Sequence, residues 1–243
     1  MNSYFFGGPV TRTVKALIIL NVAVFALQVV SHWFVGYFLE EYFGLVPMRV
    51  THELMLWQFV TYMFLHGGFF HIFFNMLTLY MFGNDLERLW GTRRFLNYYF
   101  ITGIGAGICS WLVAVNSNVS VIGASGAIYG LLLAYGLTYP NRIVYLNFLL
   151  PVKVKWLVLI MGAIAFVSSV GGGEPGVANI AHLGGMAVGY LFLKGKGWRD
   201  RYRYFEEQRR RDQLKRQFEV YYGDVRRKIE QDKQDKKKGP TIH

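Results

Sequence analysis

Ser125 stands in Gly123-Ala124-Ser125-Gly126, at the outer start of an apolar segment expected to be helical. A serine alone says little, because serines back-bond their own helix or line packed interfaces. This setting says more. Glycine on either side lets another backbone approach closely. A helix N-terminus offers free N–H groups and a positive dipole end, which suit a developing oxyanion in acyl transfer. The pattern is not the Gly-x-Ser-x-Gly elbow of soluble hydrolases, since residue 127 is Ala.

A base for such a serine is available at His182, in Ala181-His182-Leu183-Gly184-Gly185. Gly185 and Gly189 form a small-residue face that permits close helix packing. A third group runs from His66 to Asn75, His-Gly-Gly-Phe-Phe-His-Ile-Phe-Phe-Asn. His71 and Asn75 lie four residues apart and share one helix face. His66, His71 and His182 could instead ligate a metal. Zinc sites usually add a carboxylate or thiolate, and none is available at this depth, so oxyanion donation fits His71 and Asn75 better. No cofactor fingerprint is visible, and neither a cofactor nor a metal is expected.

These residues must be held by elements that the charge distribution reveals. The chain has 243 residues, 53% of them hydrophobic, and its charges are unevenly spread. Uncharged stretches run over 16–39, 54–84, 95–141, 156–173 and 175–193. A spanning helix needs roughly 20 mostly apolar residues. The stretch 95–141 holds two, with a turn at Asn116, Ser117 and Asn118. The reading is an all-α membrane protein with six transmembrane helices, near 16–35, 67–83, 95–115, 123–138, 156–170 and 177–193. Polar groups inside a membrane are costly and therefore functional candidates. By these bounds no Asp or Glu falls inside any helix. Ser125 and His182 enter from the same side, at depths that differ by about 5 Å.

With both termini inside, Arg49 is the only one of the 26 Lys and Arg residues on the outer side, as the positive-inside rule demands. The formal charge of +11 is thus a topological signal first. The basic tail suits anionic membrane lipids, and no module supports nucleic-acid binding. Residues 16–30 resemble a signal peptide, but the uncharged run continues and no small-x-small cleavage site stands out. The division is a lead over 1–15, a six-helix domain over 16–195 and a basic cytoplasmic tail over 196–243. In the tail, Leu214, Phe218, Tyr221, Val225 and Ile229 recur at helical spacing, which reads as a solvated, partly helical segment. The long outer segment 37–66 is rich in aromatics and reads as a functional loop partly in the outer leaflet. Cys109 is the only cysteine, so there is no disulfide framework.

The ordered set His-x4-His-x3-Asn, Gly-x-Ser-Gly and Ala-His-x-x-Gly on successive helices resembles the rhomboid intramembrane serine proteases over about residues 15–195. The resemblance implies that Ser125 is the nucleophile and His182 the general base. It implies that His71 and Asn75 help the oxyanion hole beside Gly123, and that Tyr129 stacks near the base. Glu87-x-x-x-Gly91 matches a family pattern that fixes helix ends. Where many members carry Trp-Arg in the outer loop, this chain has Trp57-Gln58. The expected activity is an endopeptidase acting on transmembrane protein substrates near the outer membrane face. The expected location is a prokaryotic cell membrane, since the core is compact and lacks long extensions. The alternatives are a rhomboid-like protein that binds transmembrane clients without cutting them, and a small transporter or channel.

Overall fold

The computed structural model describes residues 9–146, 150–170 and 174–195, and in the tail 210, 211, 214, 215, 218, 222, 223 and 229; at 146 and 174–177 only the backbone is described. The chain divides into two compact units, Met1–Leu193 and Lys194–His243. In the second unit the described residues other than Gly195 are helical, and the Phe218 and Tyr222 rings meet at 4.5 Å. Tyr221 and Val225 of the expected tail stripe lie outside the described residues, as do 171–173 of the last outer loop and 1–8 of the lead.

The first unit is mostly helical. Its long helices are α1 (Arg12–Val35), α7 (Thr92–Val113), α8 (Ser125–Thr138), α9 (Val154–Val170) and α10 (Glu174–Lys194). Between α1 and α7 come three short helices, α2 (Phe38–Phe43), α3 (Pro47–Glu53) and α4 (Gln58–Thr61), then a 3-10 turn at Tyr62–Phe64. One continuous helical run follows, made of α5 (Phe69–Thr78), a π-turn at Leu79–Gly83 and α6 (Asn84–Trp90). Residues 37–66, expected to form an outer loop, are therefore a succession of short helices. The run from α5 to α6 extends past residue 83, so it carries Asp85 and Glu87 at its far end.

Helices α1 and α5 bury polar residues while exposing apolar ones. On α1 the buried face holds Asn21 and Gln28 beside Val14 and Leu17, whereas Ile19, Leu20, Val22, Leu27, Val30, Trp33 and Phe34 are exposed. On α5, Asn75 is buried, and Phe69, Phe70, Phe73 and Phe74 point outward. Outward apolar faces of this extent are aggregation surfaces in water. They are the expected exterior in lipid, where polar groups turn inward to find partners. By length and composition, α1 and α7 can each cross a membrane; α8 and α9 are shorter apolar helices.

Helix α8 is apolar all round and buried along most of its length, from Gly126 to Gly136, as a helix enclosed by others must be. Small residues set its spacing. A Cβ at Gly130 would stand 2.8 Å from Thr102 on α7, and one at Gly136 would stand 2.7 Å from Val158 on α9. Gly185 on α10 faces the Gly126 backbone directly. Tyr98 donates its hydroxyl to the Gly130 carbonyl at 2.7 Å, and Tyr62 does the same to the Gly103 carbonyl at 2.6 Å.

Glu87 ties three helix ends together. It is buried, and its carboxylate accepts from the Thr11 hydroxyl, from the Val14 N–H at 3.2 Å and from the Thr92 hydroxyl at 2.8 Å. It thus caps the N-terminal turn of α1, where a negative charge is favoured, and reaches the first residue of α7. Between α8 and α9 lies an antiparallel hairpin, β1 (Ile143–Leu146) with β2 (Leu150–Lys153), in register Ile143 with Lys153. The helical reading of the sequence did not anticipate this hairpin. Its signal was the run Ile143-Val144-Tyr145 of residues that favour strands. Arg142 anchors it through a 2.6 Å ion pair with Asp85, which also accepts from the Tyr135 hydroxyl at 2.9 Å.

Candidate functional site

Ser125 opens α8, and Ala124 before it offers no side-chain cap. The first turn of a helix carries N–H groups without intrahelical partners, so the N–H groups beside Ser125 are left for other acceptors. The approach to the helix bends sharply at Gly123, whose φ of +126° is one that residues with a Cβ rarely adopt. Space demands glycine as well: a Cβ there would lie 2.8 Å from the His71 ring. Gly123 donates its N–H to the Tyr62 carbonyl at 2.9 Å, which fixes the bend against the 3-10 turn at Tyr62–Phe64.

His182 lies on α10 and faces the serine, with His182 Nε2 at 2.8 Å from Ser125 Oγ. The Tyr129 ring stacks on the imidazole at 4.3 Å between centroids and an interplanar angle of 1°. Tyr129 is one helical turn after Ser125, so a single helix supplies both the hydroxyl and the plate that orients its partner. An aromatic face also favours a cationic imidazolium. His182 Nδ1 is buried and finds no hydrogen-bond partner among the described residues. Among the described residues the arrangement is a pair and not a triad, with no carboxylate bonded to the base.

The close approach of α8 and α10 explains how residues far apart in sequence meet. The sequence reading placed Ser125 slightly inside its helix and His182 early in the last one. In the structure α8 begins at Ser125 itself and α10 begins at Glu174, so His182 lies more than two turns in. The pair meets because Gly126 and Gly185 remove the side chains that would hold the two backbones apart.

His71 comes from α5. Its Nδ1 accepts the Gly67 N–H at 3.3 Å, which leaves the proton on Nε2, the atom lying against Gly123. The donor edge of His71 therefore faces the Gly123–Ser125 turn. Asn75 is buried and donates one amide hydrogen to the His71 carbonyl at 2.9 Å; its second amide hydrogen is available for another acceptor. The His66 ring meets His71 edge to face at 5.1 Å. Among the described residues, no three His, Cys, Asp or Glu side chains are grouped to hold a metal.

Gln58 stands where many members of the resembled family carry arginine. It is completely buried. Its amide oxygen accepts the Val46 N–H at 2.9 Å, and its amide nitrogen reaches the Tyr42 carbonyl at 3.2 Å. Trp57 donates its indole N–H to the same carbonyl at 3.0 Å. A neutral amide thus bonds both donors and acceptors of this segment. Two supporting residues were not singled out from the sequence: Tyr62, which receives Gly123, and Gln28 on α1. The signal for Gln28 was present, since an amide inside a spanning helix needs a buried partner.

A helical chain with lipid-type outer faces and a serine–histidine pair at one helix start defines a class of integral membrane protein. The rhomboid-domain family model matches residues 53–197, and the chain belongs to the rhomboid family. "Rhomboid protein 1, mitochondrial" of Saccharomyces cerevisiae is 31% identical over 209 residues, covering 81% of this chain and 55% of that one. "RHOMBOID-like protein 1" of Arabidopsis thaliana is 37% identical over 172 residues, covering 70% of this chain and 42% of that one. "Rhomboid-like protease 5" of Toxoplasma gondii is 33% identical over 150 residues, covering 59% of this chain and 16% of that one. The chain thus spans about half the length, or less, of these relatives. All three are eukaryotic, so they give the expected prokaryotic cell membrane no support.

Proposed function

We propose that this protein is an intramembrane serine endopeptidase that cuts transmembrane segments of other proteins with a Ser125–His182 dyad. The observation that carries the proposal is the 2.8 Å contact between His182 Nε2 and Ser125 Oγ under the parallel Tyr129 ring. His182 takes the hydroxyl proton as Ser125 Oγ attacks the scissile carbonyl carbon. The resulting oxyanion is met by the Ser125 N–H, His71 and Asn75. His182 then returns the proton to the amide nitrogen as the C–N bond breaks. A water activated by His182 hydrolyses the acyl-enzyme.

We read six helices as crossing the membrane, with both termini inside: α1, the run from α5 to α6, and α7 to α10. The run of positive charge on one side supports this orientation. Helix α8 has 14 residues and is about 21 Å long, against roughly 30 Å of hydrocarbon. With its C-terminal end at the inner boundary, Ser125 sits below the outer boundary, within reach of water from that side.

A substrate helix hides its carbonyls in its own ladder, so the cut segment must unwind, which is costly in lipid. Substrates are therefore segments whose outer end holds Ala, Ser or Gly, cut after a small residue near the outer face. Incubation with a fluorophosphonate probe and a single-span model substrate tests the proposal, with fragment masses locating the cut. The expected result is labelling at Ser125 and one outer cut. A chain that binds the segment but neither labels nor cuts it would instead be a client-binding relative of the proteases.

A further inference from the structure

Gln28 is buried on α1, the helix farthest in sequence from Ser125 and His182. Its amide oxygen accepts the His66 N–H at 2.9 Å, and its amide nitrogen reaches the His66 carbonyl at 3.4 Å. The same nitrogen donates to Glu40 Oε1 at 2.6 Å. That oxygen also bonds His32 Nε2 at 2.7 Å. These partners fix the amide's orientation from both sides, because a carboxylate can only accept and a backbone N–H can only donate. Gln28 thus clasps both backbone polar groups of one residue, His66.

The residue after His66 is Gly67, whose N–H holds His71 Nδ1. A free glycine N–H at the mouth of a helix would not by itself stay aligned with that ring. We infer that Gln28 is a positioning residue for the proposed reaction: by pinning His66 it fixes the Gly67 N–H, which keeps His71 as its Nε2–H tautomer and aims that donor at the Gly123–Ser125 turn. Glu40 serves the same end one step back, since it prevents the Gln28 amide from flipping. The inference rests on the reading of His71 as an oxyanion donor. Its structural half, the tautomer, can be tested without any substrate.

The experiment uses the full chain in lipid, labelled with 15N-histidine, as wild type, Gln28→Met and Gln28→Glu. Gln28→Met conserves shape and removes every hydrogen bond. Gln28→Glu keeps an acceptor for the His66 N–H, and a carboxyl paired with Glu40 can share one proton with it. The His71 signals are assigned by their loss in His71→Gln. Wild type should show His71 as a single Nε2–H tautomer. Gln28→Met should show both tautomers and lower kcat by about tenfold to a hundredfold at unchanged KM, the size of a misaligned oxyanion donor. Gln28→Glu should restore the single tautomer and most of kcat, so a folding failure of Gln28→Met alone leaves a second test. A single Nε2–H tautomer in Gln28→Met with kcat within about twofold of wild type overturns the inference. Absence of cleavage by wild type would count against the proposed function, while the tautomer comparison would still decide the role of Gln28.

Discussion

Gly185 on α10 and Gly126 on α8 stand so close that a Cβ built on Gly185 would overlap the Gly126 carbonyl. No rotamer can relieve that overlap, because the obstacle is backbone. Gly185→Ala is expected to destabilise the fold by at least about 1–3 kcal/mol, as overpacking does, and to spread Ser125 from His182. Gly162→Ala is the control, since its Cβ would meet only the flexible Met186 side chain at 3.4 Å. Unfolding titrations of the two variants should differ clearly. Equal stability would show that α8 and α10 have room to part.

Ser125→Ala and His182→Ala should each abolish cleavage of a single-span substrate and leave unfolding close to wild type. Neither side chain fills much of the core. Cleavage by purified Ser125→Ala at near the wild-type rate would remove the dyad from the mechanism.

Asn75→Ala should slow turnover by up to about 10²-fold if its second amide hydrogen reaches the oxyanion, while fluorophosphonate labelling persists at a reduced rate. Its existing bond to the His71 carbonyl is local to the helix and contributes little to that loss. Unchanged turnover would leave Asn75 as a helix polar group satisfied by its own backbone.

Glu87→Ala removes the acceptor shared by Thr11, Val14 and Thr92. Hydrogen bonds to a charged group contribute about 1.5–3 kcal/mol each, so the variant should lose several kcal/mol in an unfolding titration. Glu87→Gln keeps one acceptor oxygen and should lose less. Wild-type stability in both variants would show that the Glu87 cap contributes nothing to the fold.

The parts of the fold that were legible in the sequence are those set by periodic burial and by charge. Beyond their first turns, which carry Arg12, Lys15, Arg93, Arg94 and Lys155, the helices α1, α7 and α9 fall on uncharged stretches because lipid admits few charges. Helix ends were less legible. The α5–α6 run continues to Trp90 because Glu87 and Asp85 both find partners there, which a count of charges cannot foresee. The hairpin at 143–153 and the short helices of the outer segment depend on tertiary bonds from Arg142 and Gln58. The candidate residues Ser125, His182, His71, Asn75, Gly123 and Tyr129 were nameable from motif and order. Their mutual distances were not, since those follow from glycine contacts between helices remote in the chain. Gln58 shows the limit of pattern matching: a departure from the common arginine leaves the segment fully bonded, because an amide both donates and accepts.

The His182 Nδ1, which has no hydrogen-bond partner among the described residues, has a consequence for tempo on the proposed path. Where a triad has an acid to orient its histidine, His182 has the Tyr129 ring, so chemistry there is expected to be slow compared with the arrival and departure of membrane partners. Each passing helix then comes and goes many times before one bond is cut. The choice among passers-by is made by dwell time: a segment that stays unwound at Ser125 is severed, and one that refolds quickly escapes however often it returns. On the proposed path, sluggishness is thus the means by which a protease immersed in a crowd of helices would leave most of them whole.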